Sequence, residues 1–233
     1  MKLVNSSRRE LVDYTTGQLA VFFPDGRSSP IKGIIEQHID EALARLQRCI
    51  NAVQTWEQDH FNYLHSSQYC TYLYFLANTL WRNTQEIEVP TKLFLLNKLL
   101  NGIDMFYEIA MPDIFFIGHS TGIVLAKANY SNYLVLYQNS TVGKNHGVAP
   151  SLGEGVILYP NSAIIGRCNI AADSIIAQGV SVVNQDTPGR CLVFSGNHSI
   201  VCKPLKRNII EDSSKTSFGF NILEPFNFSA QPI

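Results

Sequence analysis

A chain of 233 residues, 45% hydrophobic and 16% charged, has the make-up of a globular protein able to bury one large core or two small ones. A net charge of −1 gives no electrostatic basis for binding nucleic acid or an anionic membrane surface. Five cysteines, odd in number and without a C-x-x-C pair, point to reduced thiols and away from a disulfide framework or a zinc knuckle.

The first residues, MKLVNSSRRELVDYTTG, lack the apolar run of a signal peptide. The apolar window YCTYLYFLANTLW is too short and too aromatic to span a membrane, so a cytoplasmic protein is expected. Residues 1–105 read as a helical domain. In SSPIKGIIEQHIDEALARLQRCINAV, Ser29 reads as an N-cap and Pro30 as the first helical residue. Ile34, Ile35, Ile39, Leu43, Leu46 and Ile50 then recur mainly at three- and four-residue steps and form one apolar stripe. DHFNYLHSSQYCTYLYFLANTLWRN supplies a further helix whose aromatic stripe reads as core. PTKLFLLNKLLNG supplies another, with Pro90 near its start and Gly102 at its C-cap.

Past Asp104 the period changes. Every sixth residue from Gly118 gives Val124, Tyr130, Leu136, Val142 and Val148. A second run gives Leu152, Leu158, Ile164, Ile170, Ile176 and Val182. All but Gly118 are aliphatic or aromatic, several are followed by a small residue (Gly143, Gly153, Ala171, Ala177), and turn residues fall between them. Neither a helix nor an alternating strand has a six-residue period, and two phased runs do not suit a β-sandwich. A triangular coil with three short strands per turn does have this period. The four-residue step from Val148 to Leu152 marks a register slip, expected as a loop extruded at GKNHGVAP.

With NKLLNGIDMFYEI, GHSTGIVLAKA, VLYQNSTVGKN and PSLGEGVILYPNSAIIGRCNIAADSIIAQGVSVV, the chain resembles a serine acetyltransferase, strongest from about Leu95 to Gly196. More broadly it resembles the hexapeptide-repeat acyltransferases. The resemblance implies an α+β architecture: helical residues 1–105 followed by a left-handed parallel β-helix over 106–203. The tail over 204–233 has no repeat pattern and is expected to fold back over the coils or cross to a neighbouring subunit; Phe218, Phe220, Phe226 and Phe228 argue against full disorder. It implies acetyl-CoA as co-substrate. It also implies His119, in H-x-T-G, as the general base that takes the acceptor's proton. Imidazole suits the task because it titrates near neutrality, and such help is worth about 10²–10⁴-fold in rate.

The matching motif has an acid where Gly118 stands, and an H-P pair where Ala149-Pro150 stands. Both belong to the amino-acid acceptor site of the family, which puts serine itself in question. Candidates to orient His119 are Glu108 and Asp113, ahead of Asp104; His146, in the extruded loop, is either a replacement second histidine or loop surface. The resemblance places the pantetheine arm along Gly143, Ser162 and Gly179, with Lys203 for a phosphate; Tyr159 stands where a glycine is common. The acceptor is L-serine or, alternatively, a sugar or nucleotide-sugar hydroxyl or amine of surface polysaccharide synthesis. A non-catalytic β-helix scaffold is a further reading. A homotrimer or dimer of trimers follows from a cofactor groove that needs two subunits. No metal is expected, since only His119 and His146 lie in or beside the phased runs. No acyl-enzyme is expected, since Cys168, Cys191 and Cys202 fall off the motif.

Overall fold

The computed structural model describes residues 1–205; the four tail phenylalanines lie outside them. The helical part contains β1 (Lys2–Leu3), α1 (Arg8–Phe22), α2 (Ser28–Ala52), β2 (His60–Phe61), α3 (Ser66–Thr84) and α4 (Glu88–Asn101), with β1 and β2 paired in parallel. α1 opens on a capping box, in which Ser7 Oγ accepts from Glu10 N and the Glu10 carboxylate accepts from Ser7 N. α2 starts at Ser28, two residues earlier than the Ser29 cap and Pro30 start expected from sequence. Its N-cap is Arg27, whose own side chain makes no capping bond, while Asp25 Oδ1 accepts from Arg27 N. Pro30 is then the third helical residue, still in the first turn, where a missing N–H removes no intrahelical bond.

α3 is the central helix, buried continuously from Ser67 to Leu80. Its Tyr72, Leu73, Tyr74 and Phe75 fill the core together with Ile35, Ile39, Leu46 and Ile50 of α2, while Ile34 and Leu43 sit at the edge. Each fully buried side chain of this size contributes about 1.5–3 kcal/mol. α4 ends at Gly102, whose left-handed φ of 63° lets its N–H reach Lys98 O. No helix among the described residues is long and apolar enough to cross a membrane.

The second part is a parallel β-solenoid of five turns. Its strands are β3 (Asp104–Met105), β4 (Phe115–Ile117), β5 (Val124–Leu125), β6 (Asn129–Tyr130), β7 (Leu134–Leu136), β8 (Thr141–Gly143), β9 (Ser151–Leu152), β10 (Ile157–Leu158), β11 (Ala163–Ile165), β12 (Asn169–Ile170), β13 (Ser174–Ile176), β14 (Ser181–Val183), β15 (Cys191–Ser195) and β16 (Ile200–Pro204). They make three sheets in the orders β16-β15-β13-β10-β7-β4, β14-β11-β8-β5-β3 and β12-β9-β6. The first turn has no strand in the third sheet. At the far end β16 turns back antiparallel to β15 and closes the series.

Ile117, Leu136, Leu158, Ile176 and Val193 stack on one face; Met105, Leu125, Val142, Ile164 and Val182 stack on the next; Tyr130, Leu152 and Ile170 stack on the third. Three positions of the six-residue series are therefore corrected. Ile117, not Gly118, and Leu125, not Val124, point inward, and Val124 is 45% exposed. Val148 is 47% exposed because it lies in the extruded loop. The strict period fails where corners gain or lose residues. Eight positions separate Ile117 from Leu125, and five separate Leu125 from Tyr130. The extruded loop closes on itself, with Asn145 and Val148 exchanging two backbone bonds of 3.0 Å.

The helices grip the first turn of the solenoid. Cys49 Sγ donates to Phe115 O, Tyr74 Oη to Ile109 O, and Asn78 Nδ2 to Tyr107 O. The solenoid begins with β3, slightly ahead of residue 106.

Candidate active site

The corners joining the β4–β7–β10–β13 sheet to its neighbour follow one plan. Two of them read Tyr-x-Asn-Ser: Tyr137–Ser140 and Tyr159–Ser162. The asparagine takes a left-handed φ (57° at Asn139, 61° at Asn161), and Asn139 Nδ2 donates to Asn161 Oδ1 at 3.0 Å. Ser140 and Ser162 each return a hydroxyl bond of 2.7 Å to the tyrosine carbonyl three residues back. The next corner, Ala177–Val180, keeps the plan with Gly179 at φ 73°.

The corner carrying His119 is the exception. Backbone bonds run up this edge from Asn139 N to Thr121 O, from Asn161 N to Gln138 O, and from Gly179 N to Pro160 O. Gly118 therefore occupies the place of the tyrosine, Thr121 that of Gln138, and Gly122, at φ 76°, that of Asn139. His119 and Ser120 are an insertion of two residues. A β-carbon on Gly122 would lie 2.0 Å from Asn139 Oδ1, so a side chain there would have to displace that amide as well as adopt a left-handed backbone.

The insertion is held on both sides. Gly118 N donates to Leu136 O, Ser67 Oγ from the start of α3 donates to Gly118 O at 3.3 Å, Ile123 N donates to Ser120 O, and Gly122 N donates to Gly102 O. The His119 side chain is exposed on this fixed frame. The ring of Tyr137 covers Gly118: a β-carbon built there would lie 2.6 and 2.7 Å from two ring carbons. On its other side Tyr137 stacks on Tyr159, with ring centroids 5.5 Å apart and planes 12° from parallel. Burial raises both phenol pKa values, so both rings stay neutral.

No carboxylate pairs with His119 among the described residues. Glu108 is bonded to Lys127, Asp113 lies 3.8 Å from Arg48, and Asp104 lies 2.6 Å from Lys98. His146 sits at the tip of the extruded loop, exposed, at φ 48° in the turn with Gly147 at φ 80°, and among the described residues it makes no hydrogen bond to the His119 corner. Ser162 and Gly179 lie on the same edge as His119, two and three turns further along. Gly179 is exposed with open space where a β-carbon would stand, and Gly143 is half-buried at the end of β8. Ser162 differs from its expected role. It is 1% exposed, and its hydroxyl, N–H and carbonyl are all engaged within the corner. Lys203 is exposed on β16, its ammonium 5.2 Å above the Phe194 ring. All five cysteines are free thiols, and no cluster of metal-ligating side chains occurs among the described residues.

Sequence reasoning missed Tyr137 and Ser67. The repeated Tyr-x-Asn-Ser carried a signal for the first: aligning it with Gly118–Ile123 exposes both the lost tyrosine and the inserted pair. Nothing local marks Ser67, which meets Gly118 across 51 residues.

No family model matches the chain. In sequence it is similar to a serine acetyltransferase of Synechococcus elongatus, 30% identical over 122 residues, 48% of this chain and 48% of that protein. The match thus spans about half the length of that curated relative. In structure it is similar to the serine acetyltransferase of Neisseria gonorrhoeae (TM-score 0.69, 18% identity, covering 88% of this chain and 82% of that one). It is likewise similar to a serine acetyltransferase in complex with CoA (TM-score 0.65, 19% identity, covering 84% and 86%). These likenesses show the shared fold: a helical domain followed by a β-solenoid.

Proposed function

We propose that the chain is an acetyl-CoA-dependent acetyltransferase in which His119 is the general base. The observation that carries this reading is the two-residue insertion, which holds an exposed imidazole on a fixed corner of a serine acetyltransferase-like fold. Acetyl-CoA supplies an activated acyl group as a thioester. His119 takes the proton of the acceptor hydroxyl or amine as that atom bonds to the acetyl carbon, and the C–S bond breaks to release CoA. Rigid placement of the base supports direct transfer, because a positioned group avoids the entropy of a bimolecular encounter.

The edge above His119 suits the pantetheine arm. Successive turns rise about 4.8 Å, so Gly179 stands roughly 14 Å from the His119 corner. On that edge Gly179 leaves room for close backbone approach, Gly143 does so at the far end of β8, and Lys203 offers an exposed ammonium for a phosphate; Ser162 serves the corner itself. The outer face of the β5–β8–β11–β14 sheet presents Val124, Gly143, Ile165 and Val183, and the two terminal valines are exposed. We assign this face to packing against a second copy in a trimer. Light scattering then gives three, or for paired trimers six, times 26.1 kDa; a monomer mass rejects the assembly.

The activity is tested by release of free thiol from acetyl-CoA in the presence of L-serine and of amino and hydroxyl sugars. His119→Ala is expected to keep its fold and to lose at least about a hundredfold in rate. Near-full turnover in that variant removes His119 from the mechanism.

A further inference from the structure

We infer that the acceptor is a neutral, ring-bearing polyhydroxyl molecule of the pyranoside class, and that Tyr137 selects it; this rests on the transferase reading of the His119 corner. Two observations lead there. The first is the charge inventory. The carboxylates of the turn that carries His119 are each matched to a cation: Asp104 to Lys98, Glu108 to Lys127, and Asp113 to Arg48. A bound ammonium group taken out of water needs a counter-charge, and a carboxylate already shared with lysine or arginine offers little of one. Among the described residues, a free α-amino acid therefore finds no unmatched carboxylate on the turn that carries His119.

The second observation is what fills the space instead. The Tyr137 ring lies where a side chain on Gly118 would project, next to His119 in sequence. Tyr159 backs it from the following turn in a near-parallel stack, which fixes the ring plane. The Tyr137 hydroxyl has no hydrogen-bond partner among the described residues. The surface over Gly118, the residue before His119, is thus an apolar ring that ends in a neutral donor–acceptor. A pyranose matches that surface, since it presents C–H groups on its faces and uncharged hydroxyls around its rim. It also brings the nucleophile His119 needs, a hydroxyl whose proton can pass to imidazole.

The test is thermal unfolding of the full chain with CoA, then with CoA plus either L-serine or each of a set of methyl pyranosides. A ligand that binds the folded state raises the midpoint. CoA alone is expected to raise it, at least one methyl pyranoside to raise it further, and L-serine to add nothing. Tyr137→Phe keeps the ring and the fold and removes the hydroxyl; Tyr137→Ala removes both. Each is expected to retain the CoA response and to lose more than half of the pyranoside response. A response to L-serine overturns the inference. So does silence from every pyranoside, or a pyranoside response undiminished in Tyr137→Phe and Tyr137→Ala. Loss of the CoA response in Tyr137→Phe would place the ring in the thioester groove and overturn it as well. If CoA itself gives no shift in the unaltered chain, the transferase reading fails with the inference. CoA binding without pyranoside binding rejects the inference alone.

Discussion

His119 and Ser120 are two residues more than their corner requires, and the neighbouring corners show how it closes without them. In those corners the N–H three places after the first residue returns to that residue's carbonyl, as from Ser140 to Tyr137 and from Val180 to Ala177. Removing His119 and Ser120 together would let Ile123 N make the same bond to Gly118 O. The deletion is therefore expected to melt within about 1 kcal/mol of the parent chain, since no core side chain is touched. Turnover is expected to vanish. Loss of folding in the deletion, read by circular dichroism, would show that the pair is structural. The same scale explains Gly118. Its lack of a side chain lets the Tyr137 ring settle against the backbone of the residue before the base.

At the scale of elements, the helices and the solenoid strands were legible to different degrees. α3 stood out as a long apolar and aromatic stretch, and α4 as an apolar stretch with a glycine cap, where Gly102 took the left-handed conformation expected of it. The start of α2 was off by two residues because Pro30 is tolerated throughout a first turn, so it marks a helix start only to within a residue or two. The six-residue series identified the solenoid but misplaced its inward residues at Gly118, Val124 and Val148. Periodicity counts residues, whereas a corner counts hydrogen bonds, and an insertion shifts one without the other. The loop at GKNHGVAP was readable as a break in phase. That it closes as a tight turn with His146 in a left-handed conformation was not, because that depends on backbone pairing between Asn145 and Val148.

For the whole molecule, α3 ties the two parts into one cooperative body, and its burial gives the protein a definite alkaline limit. Cys49 and Cys70 are fully buried, and desolvation pushes each thiol from 9.0 to about 12; Tyr74 rises from 10.0 to about 12 for the same reason. The folded state keeps these groups neutral while the unfolded chain ionises them first. Stability is thus intact below pH 9 and falls as the pH climbs from 9 toward 12. Each unit of difference is about 1.4 kcal/mol, so the loss toward the top of that range is of the same order as a typical net stability. Melting temperatures across that range are expected to fall steeply, and Cys70→Ala is expected to soften the decline. A flat profile would mean that these groups meet water in the native state.

What the sequence by itself determined is the order of things: a helical first half, a coil of period six after Asp104, and a histidine in an H-x-T-G motif at their junction. These are properties of local composition and spacing, which burial enforces residue by residue. The tertiary structure alone decided the company His119 keeps. Glu108 and Asp113, both plausible partners by position along the chain, face Lys127 and Arg48. Ser67, 51 residues from Gly118, fixes the corner, and Tyr137 from the next turn covers its glycine. The physical reason is the solenoid itself. It brings into contact residues one whole turn apart in the chain, and the residues of one edge meet through backbone bonds whose partners no local pattern names.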